Sequence, residues 1–165
     1  MNKLICLLVL GVLCAPQAKA AALAVEPFAD MINRAPTVVR GLVSQKFQRP
    51  GLGATTCHKI QVTETMKGKV AARITVCELG GPVGDGSTLG TEMAELVTGE
   101  DVVLLLDTQN ADGTYPLYGS SGGKVSVDAK GVVRGDGPNI DRAHHGYSWK
   151  WTLDDVRASA QAVRD

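Results

Sequence analysis

Two runs of alternating apolar and polar residues flank a turn that carries a glycine. Residues 55–65 read T-T-C-H-K-I-Q-V-T-E-T, with Ile60 and Val62 on one side of an extended chain. After Met66-Lys67-Gly68-Lys69, residues 70–77 read V-A-A-R-I-T-V-C, with Val70, Ala72, Ile74 and Val76 alternating in the same way. Period-two patterning on both sides of such a turn predicts a β-hairpin. Folding the runs about Lys67 sets Ile60 opposite Ile74 and Val62 opposite Ala72, and the same register sets Cys57 opposite Cys77. Both cysteines then face away from the apolar row, and the pairing predicts a Cys57–Cys77 disulfide worth about 3 kcal/mol through loop closure.

The rest of the chain yields further short elements. Phe28, Met31 and Ile32 recur at helical spacing over 26–34, and Pro36 ends that helix. A first strand is expected over 37–47, with Val39, Gly41 and Val43 on one side. Residues 102–106 form a continuous apolar run of strand length, the pattern of a strand buried on both faces. Asn110-Ala111-Asp112-Gly113 turns it into a strand over 114–119, and strands over 124–128 and 132–134 follow. The glycine-rich stretch 79–90 and residues 135–146 read as loops. Near the end, Thr152 caps a helix over 152–163, with Leu153, Val156, Ala160 and Val163 on its apolar side. These elements predict an all-β domain, a small barrel of about five to seven strands with a short helix at each end; a β-sandwich is the alternative.

The first 20 residues differ in kind. Lys3, the apolar run Leu4 to Leu13 and the exit Ala18-Lys19-Ala20 match a secretory signal peptide, removed to leave one domain over 21–165. The run is shorter than the ~20 residues that cross a bilayer, so no transmembrane anchor is expected. Cys14 raises the alternative of an acylated lipoprotein, but Val12-Leu13 before it are larger than such sites prefer. Export to the periplasm or medium suits the two cysteines that stay in the mature chain. Lys3 and Lys19 leave with the leader, so the balanced 17 bases and 17 acids become a slight acidic excess. Scattered charge of this kind gives no footprint for nucleic acid, and the expected partner is an envelope or extracellular macromolecule.

Several segments carry residue types that can do chemistry. Gly119-Ser120-Ser121-Gly122-Gly123 fits G-x-S-x-G, which presents a nucleophilic serine at a strand-to-helix turn. Ser121 as nucleophile would draw on His144 or His145 as base, oriented by Asp128, Asp136 or Asp141. The residues that follow read as a strand, so a glycine-rich hairpin loop is the better reading. Thr108-x-Asn110-x-Asp112-Gly113 lacks the charged first and last ligands of a calcium loop and reads as a plain turn. His144 and His145 point apart in an extended chain, and His58 reads as packed, so no metal and no cofactor are expected. Tyr147, Trp149 and Trp151 share one face of an extended segment. They are candidate binding aromatics, with anchoring of the last helix to the barrel as the favoured reading.

The order of strand signals resembles a known family. Val39-x-Gly41-x-Val43, Val62-x-x-Thr65-x-Lys67-Gly68, Ile74-x-Val76, Gly99-Glu100-Asp101-Val102-Val103-Leu104-Leu105 and Gly123-x-Val125-x-Val127 together resemble small secreted bacterial proteins. Those proteins carry a five-stranded barrel of the oligonucleotide/oligosaccharide-binding (OB) type, similar to the netrin-like domain of tissue inhibitors of metalloproteases. The resemblance spans 37–128 and implies a barrel with a binding or inhibitory role. Tissue inhibitors chelate their target's zinc through an amino-terminal cysteine, and the expected mature start near Ala21 has none. The leading expectation is therefore a non-enzymatic exported binding domain. A small serine hydrolase using Ser121, or a protease inhibitor that does not chelate zinc, are the alternatives.

Overall fold

The structure is a computed structural model that describes residues 27–49, 55–82, 88–89, 94–134 and 151–162. Its elements in chain order are α1 (Phe28–Arg34), β1 (Thr37–Arg49), β2 (Thr55–Lys67), β3 (Arg73–Leu79), β4 (Gly81–Pro82), β5 (Thr88–Leu89), β6 (Asp101–Leu106), β7 (Lys124–Val127), β8 (Val132–Arg134), β9 (Trp151–Thr152) and α2 (Leu153–Gln161). The expected leader over 1–20 lies outside the described residues, as does Val163. Strands pair in the order β3-β2-β1-β6-β7-β8-β9, all antiparallel, while β4 and β5 form a separate ribbon. An all-β domain with a short helix at each end is what the patterning predicts.

The hairpin takes the expected register. Ile60 lies opposite Ile74 and Cys57 opposite Cys77, and the cysteines are bonded. The Cys77 N–H donates away from β2, to the Tyr115 carbonyl. The cysteine pair therefore occupies the close type of antiparallel position, with 4.1 Å between Cα atoms.

The sheet closes on itself through residues 115–118. Tyr115 bridges Val76 of β3 in parallel, and Leu117 bridges Leu106 of β6. Backbone bonds from Tyr115 N–H to Thr75 O and from Tyr118 N–H to Leu105 O, both 2.9 Å, flank those bridges. β1, β2, β3, this segment and β6 thus make a ring of five members, the order of an OB-like barrel rather than a two-sheet sandwich. A full strand was expected over 114–119. Pro116 has no N–H to give to a ladder, and only the two bridges form.

Two cores result. Val39, Val43, Ile60, Ile74, Val76, Val102, Leu104, Leu106, Tyr115 and Leu117 fill the barrel, with Ala94 and Leu96 packed among them. Outside the wall, Val38, Val103, Leu105, Val125 and Val133 meet Met31 and Ile32 of α1 and Leu153, Val156 and Ala160 of α2. β6 supplies alternate residues to both, which is why its sequence has no polar alternation.

Local chemistry sets the helix ends. Thr152 and Asp155 exchange hydrogen bonds in a capping box at the start of α2. The Lys67 ammonium donates to the Ile32 and Asn33 carbonyls at the end of α1, where orphan acceptors favour a cation. Arg157 of α2 forks onto both carboxylate oxygens of Glu64 in β2, at 2.7 and 2.9 Å.

β1 carries register shifts against β2 at Val38/Val39, Arg40/Gly41 and Val43/Gln45, irregularities of the kind that bend a strand. A side chain on Gly41 would stand 2.6 Å from Ile60 Cγ2 and 2.7 Å from the Gln61 carbonyl oxygen. Gly41→Ala is expected to cost about 1–3 kcal/mol in chemical denaturation, because the obstructing oxygen belongs to the barrel wall itself.

Candidate functional site

Inside the barrel, polar side chains occupy two places. In the first, Lys124 of β7 lies opposite Leu104 on the interior face and is 2% exposed. Its ammonium contacts Glu100 Oε1 at 2.7 Å, and the Ser126 hydroxyl donates to the same oxygen. Glu100 Oε2 accepts the Val97 N–H at 3.1 Å. The carboxylate is thus engaged through both oxygens, the arrangement a buried ion pair requires.

The second place lies where β2 and β3 end, and it is not satisfied in that way. Thr56, His58 and Glu78 alternate with Cys57 and Cys77 and so share the interior face with Ile60, Ile74 and Val76. Thr56 Oγ1 donates to the Gly80 carbonyl at 2.9 Å. Glu78 Oε1 accepts the Ala94 N–H at 3.3 Å. Glu78 Oε2 and His58 Nδ1 are buried without a hydrogen-bond partner among the described residues. Glu78 is 9% exposed and His58 2%. Each unmet group of this kind costs about 1–3 kcal/mol.

Register places these residues as neighbours. Thr56 pairs with Glu78 and His58 with Val76, so His58 and Glu78 are diagonal on one face. Diagonal positions in antiparallel sheets stand ~7–8 Å apart at Cα, within reach of long side chains. Lys46 and Gln48 of β1 pair with His58 and Thr56 and are exposed. Leu79, the next residue of β3, is 80% exposed and marks the rim.

Electrostatics favours the uncharged form of both inner groups between about pH 4 and 7. Burial pushes the His58 pKa down to about 4, and the Lys46 ammonium adds to that. Burial pushes Glu78 up to about 7, with the Ala94 N–H opposing it. In that window the pair is a neutral imidazole beside a carboxylic acid, able to donate or accept hydrogen bonds but poorly suited to hold charge.

The other sequence-predicted residues fall elsewhere. Ser121 sits in a 3-10 turn, Ser120–Gly123, that feeds the antiparallel strand β7 rather than a helix. The strand–turn–helix context of a nucleophile elbow is therefore missing. His144, His145, Asp136 and Asp141 lie outside the described residues, as do Tyr147 and Trp149. Trp151 packs against the helix-side core, its ring edge-on to Phe28 of α1 at 5.3 Å between centroids. The Asn110–Gly113 segment is a turn closed by its own side chains. Asp112 accepts from the Thr114 N–H and hydroxyl, and Gly113 adopts a φ of +82°. No group of three or more metal-ligating side chains occurs among the described residues. No described helix is long and apolar enough to cross a membrane.

Glu78 and Lys124 had no place in the sequence expectations. The signal for Glu78 was present in Ile74-x-Val76-x-Glu78, where a carboxylate continues an apolar face. Lys124 and Glu100 stand far apart in the chain and meet only once β6 and β7 pair.

Two measurements follow from this geometry. Trp151→Ala should lower stability by on the order of 2 kcal/mol, since it removes the contact between α1 and β9. The pH profile should separate the buried pair. Glu78 is raised, so its contribution is full below its ordinary 4.5 and is lost as pH climbs towards 7. His58 is depressed, so its contribution is full above its ordinary 6.5 and is lost as pH falls towards 4. The two slopes oppose each other in the native protein. Glu78→Gln should expose the His58 slope, a stability that rises with pH, and remove a loss of about 3 kcal/mol between the two Glu78 limits. A Glu78→Gln profile parallel to the native one would refute the assignment. No protein-family model and no curated protein matches this chain, so the functional reading rests on geometry.

Proposed function

We propose that this protein is an exported, non-enzymatic binding domain that engages a macromolecule of the envelope or the extracellular space at the β2–β3 end of its barrel. One observation carries the reading: two buried polar atoms, His58 Nδ1 and Glu78 Oε2, lack partners among the described residues, whereas the interior Lys124–Glu100 pair is engaged through both carboxylate oxygens. Unmet polar groups gathered beneath one rim support a site kept for a ligand rather than for stability. The Cys57–Cys77 bond crosses the same two strands and holds that rim in register. Such a bond persists in oxidising compartments, which supports the export reading of the leader.

A photo-crosslinking residue at position 79, on the rim, tests the proposal in the exported fraction of the native host. A second probe at position 130, on the exposed turn before β8, serves as control. The expected result is a discrete adduct from position 79 that excess untagged protein competes away, with none from position 130. No saturable adduct, or equal adducts from both positions, would overturn the proposal. Labelling of Ser121 by a fluorophosphonate would install the hydrolase in its place.

A further inference from the structure

We infer that the His58–Glu78 site takes a neutral group that both donates and accepts a hydrogen bond, a hydroxyl or a primary amide, in preference to an ion. The inference rests on the binding reading above and names what that site recognises.

The warrant is the pairing of two orphan atoms on one face. His58 Nδ1 and Glu78 Oε2 lie on diagonal positions of β2 and β3, each on a side chain more than nine-tenths buried. The Ala94 N–H engages Glu78 at Oε1, which leaves the buried Oε2 as the carboxyl atom still without a partner among the described residues. A hydroxyl or amide can donate a hydrogen to the imidazole and accept one from the carboxylic acid, meeting both needs at once.

Ions fit less well. A cation would require Glu78 to ionise in a buried position, which burial disfavours, and the Lys46 ammonium, paired with His58 across β1 and β2, would repel the cation itself. An anion would require a proton on the buried imidazole, the form that burial and Lys46 both disfavour. A neutral group asks for neither change, and desolvating it costs far less than desolvating an ion. Glu78 must keep its proton to donate, so binding should weaken as that proton is lost.

The test uses the full mature chain, isotopically labelled, at about pH 6, where both groups are neutral. The Ala94 amide and the His58 imidazole are followed by nuclear magnetic resonance during titration with acetamide, methanol, acetate or methylammonium. Acetamide or methanol is expected to shift both resonances saturably, and the one that does so distinguishes an amide site from a hydroxyl site. Raising the pH to about 8 should weaken that binding roughly tenfold in the native protein and leave it unchanged in Glu78→Gln, which keeps a neutral donor. Saturation by acetate or methylammonium instead, or no response to any probe, would overturn the inference. If no probe binds while position 79 still crosslinks a partner, the ligand class fails and the binding reading stands.

Discussion

The whole arrangement depends on β6 being buried on both faces. Val102, Leu104 and Leu106 fill the barrel while Val103 and Leu105 anchor the helix layer. Burying five such side chains contributes on the order of 10 kcal/mol at 1.5–3 kcal/mol each, an upper figure because the unfolded chain already hides some of that surface. It also imposes a topology. A strand covered on one side by the barrel and on the other by two helices must lie at the junction of both cores. β1 pairs along one edge of it; β7 and Leu117 share the other.

That constraint decides where polar groups can go. The central wall cannot carry them, so interior polar residues collect near the limits of the apolar layers. Lys124 and Ser126 lie beside β6 and meet Glu100, which immediately precedes it. His58 and Glu78 lie at the far end of β2 and β3. Outside the barrel the charges pair across strands, as Arg40 does with Asp101 at 2.6 Å. Such pairs contribute little individually, about 0–1 kcal/mol, and mainly keep the outer wall from sliding.

Much of this was legible in the chain, and the reasons differ by element. The cysteine hairpin was readable because two independent patterns, apolar alternation and cysteine position, demand one register. β6 was readable because a short unbroken apolar run has few places to go in a β protein. The capped last helix was readable from Thr152 and the apolar spacing after it. Ring closure was not: it rests on single bridges either side of Pro116, and its parallel contact with β3 joins segments between which β6 and the separate β4–β5 ribbon intervene in the chain. The Lys124–Glu100 pair was hidden for a similar reason, since its members are brought together only by the β6–β7 register. The rim was half legible. His58 on a strand reads as packed, but a carboxylate two residues beyond Val76 on the same face does not announce burial, because a strand end ordinarily returns to solvent there.

The two interior polar places make opposite use of burial. At Lys124 the fold meets the ammonium with the Glu100 carboxylate, whose two oxygens also accept the Ser126 hydroxyl and the Val97 N–H. At His58 and Glu78 the same degree of burial is met by a single backbone donor, and the groups respond by giving up their charges. If stability alone shaped both places, an apolar pair at positions 58 and 78 would continue the Ile60, Ile74 and Val76 face and remove two unmet hydrogen-bonding groups. Retaining a histidine and a glutamate there, beneath an exposed leucine and across strands braced by a disulfide, makes physical sense when something else completes them.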